Sequence, residues 1–223
     1  MNIAFLGNSL VEGSYGGNFV AQVAARLPQQ MIINAGQNGN TILNLLNRLD
    51  DVLAQEPDII FVFCGGNDAI SYSQPETRRY YERVMKVPNG TVTPDQFRSH
   101  FRDLLTRIQL AQVVVYVGLS PIEANPTVAA AMQHYNQIAA EECKRLNVPT
   151  LDLMPVLQPA HIPERPQLTQ ATINLIGQRV KSGWNDYAAE RERGGYTYSF
   201  DGLHLTPDSA TIVADKVVKF LDL

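Results

Sequence analysis

A serine, an asparagine, an aspartate and a histidine stand in this sequence where their side chains could do chemistry together. Ser9 and Asn67 each follow closely after an apolar run, while Asp201 and His204 lie three residues apart before the last predicted helix. A serine hydroxyl becomes a useful nucleophile when a base removes its proton, and an imidazole titrates near neutral pH. We therefore predict that His204 is the base for Ser9 and that Asp201 orients the imidazole. This combination is typical of acyl transfer.

The negative charge that develops during acyl transfer needs hydrogen-bond donors that are fixed in place before the reaction. Three candidates lie at predicted strand ends: the N–H groups of Ser9 and Gly36, and the side-chain amide of Asn67. Asp201 and His204 could instead be two metal ligands, but no further His or Cys lies at a ligand-like spacing. The sequence therefore predicts an oxyanion hole, with no metal and no organic cofactor.

The elements that must position these residues alternate between strands and helices. Five apolar, β-branched runs predict strands at Asn2–Leu6, Met31–Asn34, Asp58–Phe63, Val113–Val117 and Val148–Leu151. Helical periodicity predicts helices near Asn18–Leu27, Thr41–Ala54, Pro94–Ile108 and Pro126–Leu146, and a last helix after Thr206. Continuously apolar strands are typical of a parallel sheet with helices on both faces. We therefore predict an α/β protein with a doubly wound parallel sheet of about five strands, which binds its ligand at the carboxyl ends of the strands.

Two polar stretches interrupt this alternation, near residues 71–90 and 155–200. The second contains a helical pattern from about Thr169. Neither stretch has enough apolar residues to bury a core of its own, so both are interpreted as surface insertions. The chain is predicted to form one domain over residues 1–223.

Four short motifs resemble those of the SGNH hydrolases, also called GDSL-type lipases and acylhydrolases. They are GNSL at Ser9, NAGQNG at Gly36, GGND at Asn67 and DGLH at residues 201–204, in the family's order. The resemblance implies the roles already assigned to these residues, and it implies a three-layer α/β/α sandwich with a flavodoxin-like sheet. Asn8 departs from the pattern, since it replaces the usual aspartate of GDSL and so removes a charge beside the serine.

Several residues that are expected around the predicted site allow more than one interpretation. Residues 120–125, after the fourth strand, should border the site on topological grounds. Tyr196, Tyr198 and Phe200 could wall the site or pack in the core. Arg165, Arg179, Arg191 and Arg193 alternate with acidic residues, which favours a solvated mixed face over an anion site. Asp68 is predicted to brace its loop, and Cys64 to be a small buried side chain.

Composition narrows the function classes. The 223 residues are 45% hydrophobic and 18% charged, with a net charge of −4, so nucleic-acid binding is disfavoured. Two cysteines form no disulfide framework. No apolar run is long enough for a membrane span, and the N-terminus lacks the pattern of a signal peptide. These features predict a cytoplasmic protein, with a mature secreted form as the alternative; the sequence does not indicate an oligomeric state.

The expected function is a serine esterase or acyl hydrolase that cleaves a small-molecule carboxylic ester through an acyl-enzyme intermediate. Carbohydrate O-acetylesterase activity is an alternative that differs only in pocket shape. A catalytically silent binding module is the alternative of another class, and the intact set of Ser9, Asn67, Asp201 and His204 argues against it.

Overall fold

The computed structural model describes residues 1–157 and 159–222. The strands are β1 (Asn2–Gly7), β2 (Met31–Gly36), β3 (Ile59–Phe63), β4 (Val114–Leu119) and β5 (Thr150–Asp152). The α-helices are α1 (Ser9–Glu12), α2 (Phe19–Arg26), α3 (Ile42–Asn47), α4 (Leu49–Leu53), α5 (Gly66–Ser73), α6 (Arg78–Arg83), α7 (Pro94–Leu110), α8 (Pro126–Arg145), α9 (Met154–Leu157), α10 (Gln170–Lys181), α11 (Tyr187–Gly194) and α12 (Pro207–Leu221).

The five strands form one parallel sheet in the order β2-β1-β3-β4-β5. Helices cover both faces, so the predicted three-layer α/β/α fold is confirmed. Gly7 at the end of β1 pairs with Gly36 at the end of β2 and with Phe63 at the end of β3. The carboxyl ends of these three strands are therefore flush, and the loops that follow them meet at one edge of the sheet.

Two buried clusters, one on each face of the sheet, hold the layers together. In β1, Ile3 and Phe5 join one cluster, whereas Ala4 and Leu6 join the other, as the two-residue repeat of a strand requires. The first cluster includes side chains of α2 and α12, and the second includes side chains of α3, α7 and α8. Because both faces are covered, the central strands are apolar without alternation.

The helix predicted over Thr41–Ala54 is broken at Arg48 into α3 and α4. Thr41 is the N-cap of α3, and its N–H donates to the side chain of Asn44. The Arg48 backbone (φ −113°, ψ 12°) leaves the helical range, and its N–H bonds to Leu45 three residues back. The apolar periodicity continues through this break, so the sequence alone predicts one helix.

The two polar stretches form short helices at the edge of the sheet that carries the site. The stretch 71–90 contains α6 between two 3₁₀ turns, and the stretch 155–200 contains α10 and α11. Among the described residues, no helix is both long enough and apolar enough to cross a membrane.

Candidate active site

Three of the predicted site residues form one continuous chain of hydrogen bonds. The Nε2 atom of His204 lies 2.9 Å from the Ser9 hydroxyl oxygen, and its Nδ1 atom lies 2.7 Å from Asp201 Oδ2. The other carboxylate oxygen of Asp201 accepts the backbone N–H groups of Leu203 and His204 at 2.9 and 2.7 Å. The Asp201 side chain is therefore held at both oxygens, and it can fix the tautomer of an imidazole that faces Ser9.

Ser9 is placed by the sharp change from strand to helix after β1. It is the first residue of α1, and the Asn8 side chain caps this short helix by accepting the Leu10 N–H at 3.1 Å. Asn8 is only 4% exposed. Asparagine keeps the acceptor that the cap needs, and because it is neutral it avoids the cost of burying a carboxylate. The departure from the GDSL pattern therefore preserves the local structure.

Two aromatic rings contact the imidazole of His204, and one of them, that of Tyr15, also lines the cavity. Phe200 stacks on the His204 ring with centroids 6.0 Å apart, and Tyr15 meets it edge-on at 5.1 Å. Phe200 thus supports the base without lining the cavity. Tyr198 packs in the core, and Tyr196 lies under the Arg165 guanidinium at 4.2 Å. Of the two interpretations of these aromatic residues, packing is the one that the geometry favours.

Gly36 is the predicted oxyanion donor that the structure does not place for this role. Its N–H donates to the side chain of Asn34 at 2.9 Å and is therefore occupied. A Cβ at Gly36 would overlap the backbone of α1 at Glu12. The glycine is needed because α1 packs directly against the end of β2. This assignment is corrected: Gly36 carries a packing role.

Gly39, in the same NAGQNG motif, is the residue that sequence reasoning missed. It lines the cavity beside Ser9, and its backbone is left-handed (φ +76°). Among the described residues, neither the Ser9 N–H nor the Gly39 N–H has a hydrogen-bond partner. The NAGQNG motif contains two glycines, and nothing in the sequence indicates which of them has its N–H directed at the oxyanion.

Asn67 lies on the same cavity, at the start of α5. Its Nδ2 donates to the carbonyl of Asn40 at 3.0 Å, and its Oδ1 accepts the Tyr81 hydroxyl at 2.7 Å. A carboxamide nitrogen has two protons. One of them remains for a ligand.

The cavity has a volume of about 90 Å³ and lies at the carboxyl ends of β1 to β4. Ser120 and Ile122 line it, which confirms that the segment after β4 borders the site. The two polar stretches also contribute walls. The apolar and aromatic lining residues are Leu10, Tyr15, Phe63, Ile70, Tyr80, Tyr81, Ile122, Ile173, Ile176 and Leu203. Apart from His204, no titratable acid or base of the Asp, Glu, Lys, Arg or His type is among the described lining residues.

Cys64, predicted to be a small buried side chain, is partly exposed and lines the cavity. Desolvation raises the pKa of its thiol well above the ordinary value. A thiol with a raised pKa is a poor nucleophile at neutral pH, so Cys64 is a wall of the cavity.

Glu123 is a second residue that sequence reasoning missed. Its buried carboxylate accepts the N–H groups of residues 197–199 at 2.8–3.0 Å, and the hydroxyl of Ser199 at 2.6 Å. Arg165 donates to the carbonyls of Glu123, Gly194 and Gly195 at 2.9–3.0 Å. These contacts fix the segment that leads into Asp201, and they show that Arg165 is engaged by backbone carbonyls.

Asp68 braces its loop, as predicted, through a contact with the first residue of α3. Its side chain is fully buried, and Oδ1 accepts the N–H of Ile42 at 2.9 Å, while Oδ2 has no partner among the described residues. Burial raises the pKa of Asp68 to about 7, against a smaller opposing effect of the backbone hydrogen bonds.

The raised pKa of Asp68 predicts a pH dependence of stability. The folded protein holds this proton more tightly than the unfolded chain, whose carboxyl titrates near ~4. The free energy of unfolding should therefore fall as the pH rises from about 4 to about 7, by at most about 1.4 kcal/mol per pH unit from this group. Chemical denaturation of wild type and Asp68→Asn across this range measures the difference. Parallel pH profiles for the two proteins would contradict the prediction.

In the described part of the chain, no group of three or more His, Cys, Asp or Glu side chains is arranged to hold a metal ion.

Comparisons with known proteins place the chain as follows. Residues 5–211 match the model of the GDSL-like Lipase/Acylhydrolase family. A search of curated protein sequences finds no match. Solved structures with a similar fold include acetyl xylan esterase AlAXEase (18% identity, 98% of each chain covered, TM-score 0.66). A catalytic mutant of Axe2, an acetylxylan esterase from Geobacillus stearothermophilus, is similar over 100% of this chain and 94% of its own (17% identity, TM-score 0.67). The lipase/acylhydrolase from Enterococcus faecalis is similar over 98% and 93% (20% identity, TM-score 0.63).

Proposed function

Since the chain belongs to the GDSL-like lipase/acylhydrolase family, we propose that it hydrolyses carboxylic esters through an acyl group carried on Ser9. The observation that carries this proposal is the 2.9 Å contact between His204 Nε2 and the Ser9 hydroxyl, with Asp201 on the other ring nitrogen. Ester hydrolysis by a serine enzyme is the activity of the family.

The first half of the reaction forms the acyl-enzyme. His204 Nε2 takes the Ser9 proton as the serine oxygen attacks the ester carbonyl. Asp201 stabilises the imidazolium that results. When the tetrahedral intermediate collapses, the bond to the alcohol oxygen breaks, and the proton on Nε2 passes to the leaving alcohol.

The oxyanion of the tetrahedral intermediate is stabilised by three donors that face the cavity. They are the N–H groups of Ser9 and Gly39 and the remaining Nδ2 proton of Asn67. Two of them are backbone groups in a fixed turn and a short helix, so they need little reorganisation during the reaction.

The second half of the reaction repeats these steps with water. His204 removes a proton from a water molecule, whose oxygen attacks the Ser9 ester. The serine oxygen then leaves with the proton held on Nε2, and the carboxylic acid is released.

The cavity favours an ester whose acyl group is apolar and uncharged. A water-sized group occupies roughly 10–15 Å³ of such a space, so about 90 Å³ has room for several groups of this size. Ile70, Ile122 and Ile173 form apolar walls that could cover several methylene groups of an acyl chain. Each methylene group that is buried against them stabilises the bound ester by roughly 0.8 kcal/mol. An acetyl group would leave much of this apolar surface uncovered.

Carbohydrate O-acetylesterase activity is the second candidate. Two of the similar structures are acetylxylan esterases, and this is the observation in its favour. The two candidate substrates differ in the group that contacts the apolar walls of the cavity. An alkyl acyl chain covers these walls, whereas an acetylated sugar presents hydroxyl groups to them.

A substrate panel separates the candidates. We expect kcat/KM for p-nitrophenyl esters to rise from acetate to acyl chains of about four to eight carbons, and to exceed the value for acetylated xylo-oligosaccharides. A preference for the acetylated sugar would favour the second candidate. If neither group of substrates shows turnover that depends on Ser9, the result would favour the alternative of a catalytically silent binding module.

A further inference from the structure

The carboxamide of Asn67 is held at both of its polar atoms by groups that do not belong to the triad. Nδ2 donates to the carbonyl of Asn40 at 3.0 Å, and Oδ1 accepts the Tyr81 hydroxyl at 2.7 Å. A backbone carbonyl can only accept a hydrogen bond. A flipped amide would therefore place two carbonyl oxygens against each other, so this pair of contacts allows one orientation of the Asn67 amide.

Tyr81 is fixed and stays a donor. It lies on α6 in the polar stretch, yet its side chain is only 1% exposed and packs edge-on against Tyr80 at 5.2 Å. Burial raises the pKa of its phenol well above the ordinary value. The hydroxyl therefore keeps its proton, and solvent does not compete for it.

Arg48 holds the other side of the same network. Its guanidinium donates to the Asn40 side chain at 2.8 Å, to the Gly7 carbonyl at 2.9 Å and to the Ala35 carbonyl at 2.7 Å. It forms no salt bridge within the described residues. Burial lowers the pKa of Arg48 to about 10, so it remains charged at neutral pH.

These contacts connect the three elements that carry the oxyanion donors. Gly7 lies two residues before Ser9, Ala35 lies at the end of β2, and Asn40 is the neighbour of Gly39 and the partner of Asn67. A planar guanidinium with several donors is suited to hold such carbonyls in a fixed arrangement.

We propose that Tyr81 and Arg48 are positioning residues for the oxyanion hole. Tyr81 fixes the rotation of the Asn67 amide, and Arg48 fixes the spacing between the loops that carry Ser9, Gly39 and Asn67. The proposal rests on the proposed function, because it assigns Asn67 to the oxyanion. Neither the Tyr81 hydroxyl nor the guanidinium acts on the reacting atoms directly.

Tyr81→Phe tests the proposal while keeping the aromatic wall of the cavity. We expect kcat to fall about tenfold with KM changed less than about twofold, because a looser amide stabilises the transition state less and the bound ester equally well. The inhibition constant of an alkyl boronic acid, which forms a tetrahedral anion on an active-site serine, should rise by a similar factor. Arg48→Lys keeps the charge but loses the several donors of the guanidinium, and we expect the same pattern.

The double variant Tyr81→Phe with Asn67→Ala shows whether Tyr81 acts through Asn67. Asn67→Ala alone should lower kcat by about 10²–10³, and the added Tyr81→Phe should cause no further loss. Tyr135→Phe is the matched control, since it removes another buried hydroxyl that donates to a carbonyl, that of Val92, away from the cavity. It should lower the thermal midpoint and leave kcat unchanged.

A normal kcat in Tyr81→Phe, or losses that multiply in the double variant, would overturn the proposal while leaving the triad intact. If Asn67→Ala itself keeps a normal kcat, the oxyanion role of Asn67 fails and this proposal fails with it. Loss of activity only through a raised KM would show that Tyr81 binds the ester in its ground state.

Discussion

Ser9→Ala is expected to lower kcat for a short-chain ester by about 10⁴ or more. The three residues of the triad act as a unit, so removing the nucleophile leaves only what binding and the oxyanion donors contribute. The measurement is steady-state turnover of a p-nitrophenyl ester by purified wild type and variant. The thermal midpoint should change little, because the substitution replaces only the hydroxyl bonded to His204 by a hydrogen atom.

Ser14→Ala is the control for this substitution. Ser14 lies five residues further along the chain, outside the cavity lining and exposed, so this variant should retain wild-type turnover. Ester turnover by folded Ser9→Ala that stays within about tenfold of wild type would contradict the assignment, since a nucleophile is worth far more than this factor.

Asp201→Asn is expected to lower kcat by up to ~10⁴, the second largest effect. Asparagine retains an oxygen that can accept the N–H groups of Leu203 and His204, so the loop should stay folded. Its Nδ2 would then donate to His204 Nδ1 and favour a proton on Nε2. In that tautomer the imidazole cannot take the proton of Ser9. Turnover is measured together with the thermal midpoint.

Asp68→Asn is the matched control for Asp201→Asn. It removes another carboxylate near the site, but Asp68 contacts the Ile42 N–H and does not line the cavity. We expect its kcat to remain near that of wild type. A larger loss of turnover in folded Asp68→Asn than in Asp201→Asn would mean that the acid of the triad has been assigned to the wrong residue.

The triad and the sheet were predictable because local patterns specify them. Apolar runs of strand length identify the central strands, and the carboxyl-end rule then brings Ser9 and Asn67 to one edge. Asp201 and His204 lie on one short turn, so their contact depends on few residues. The one-domain organisation over the whole chain stays a prediction.

The choice between Gly36 and Gly39 could not be made from the sequence. Gly36 is the last residue of β2, and Gly39 comes only three residues later. Their roles differ because α1 packs against Gly36, while Gly39 turns towards the cavity wall formed by Tyr80. Contacts between residues that are distant in the sequence cannot be inferred from the spacing of residues within one motif.

The contacts of Arg48 and Tyr81 with the site could not be predicted for the same reason. Arg48 lies within an apolar repeat that predicts an unbroken helix, and its partners are carbonyls of distant strand ends. Tyr81 lies in a stretch whose polar composition indicates a surface insertion. Only the tertiary structure shows that its hydroxyl reaches Asn67.

Covalent labelling tests most directly whether Ser9 carries the acyl group. A fluorophosphonate probe reacts with an activated serine, and mass spectrometry locates the adduct on a peptide. We expect one adduct, on the peptide that contains Ser9, in wild type, and none in Ser9→Ala. An adduct on a different serine, or no adduct while ester turnover persists, would contradict the assignment of Ser9 as the nucleophile.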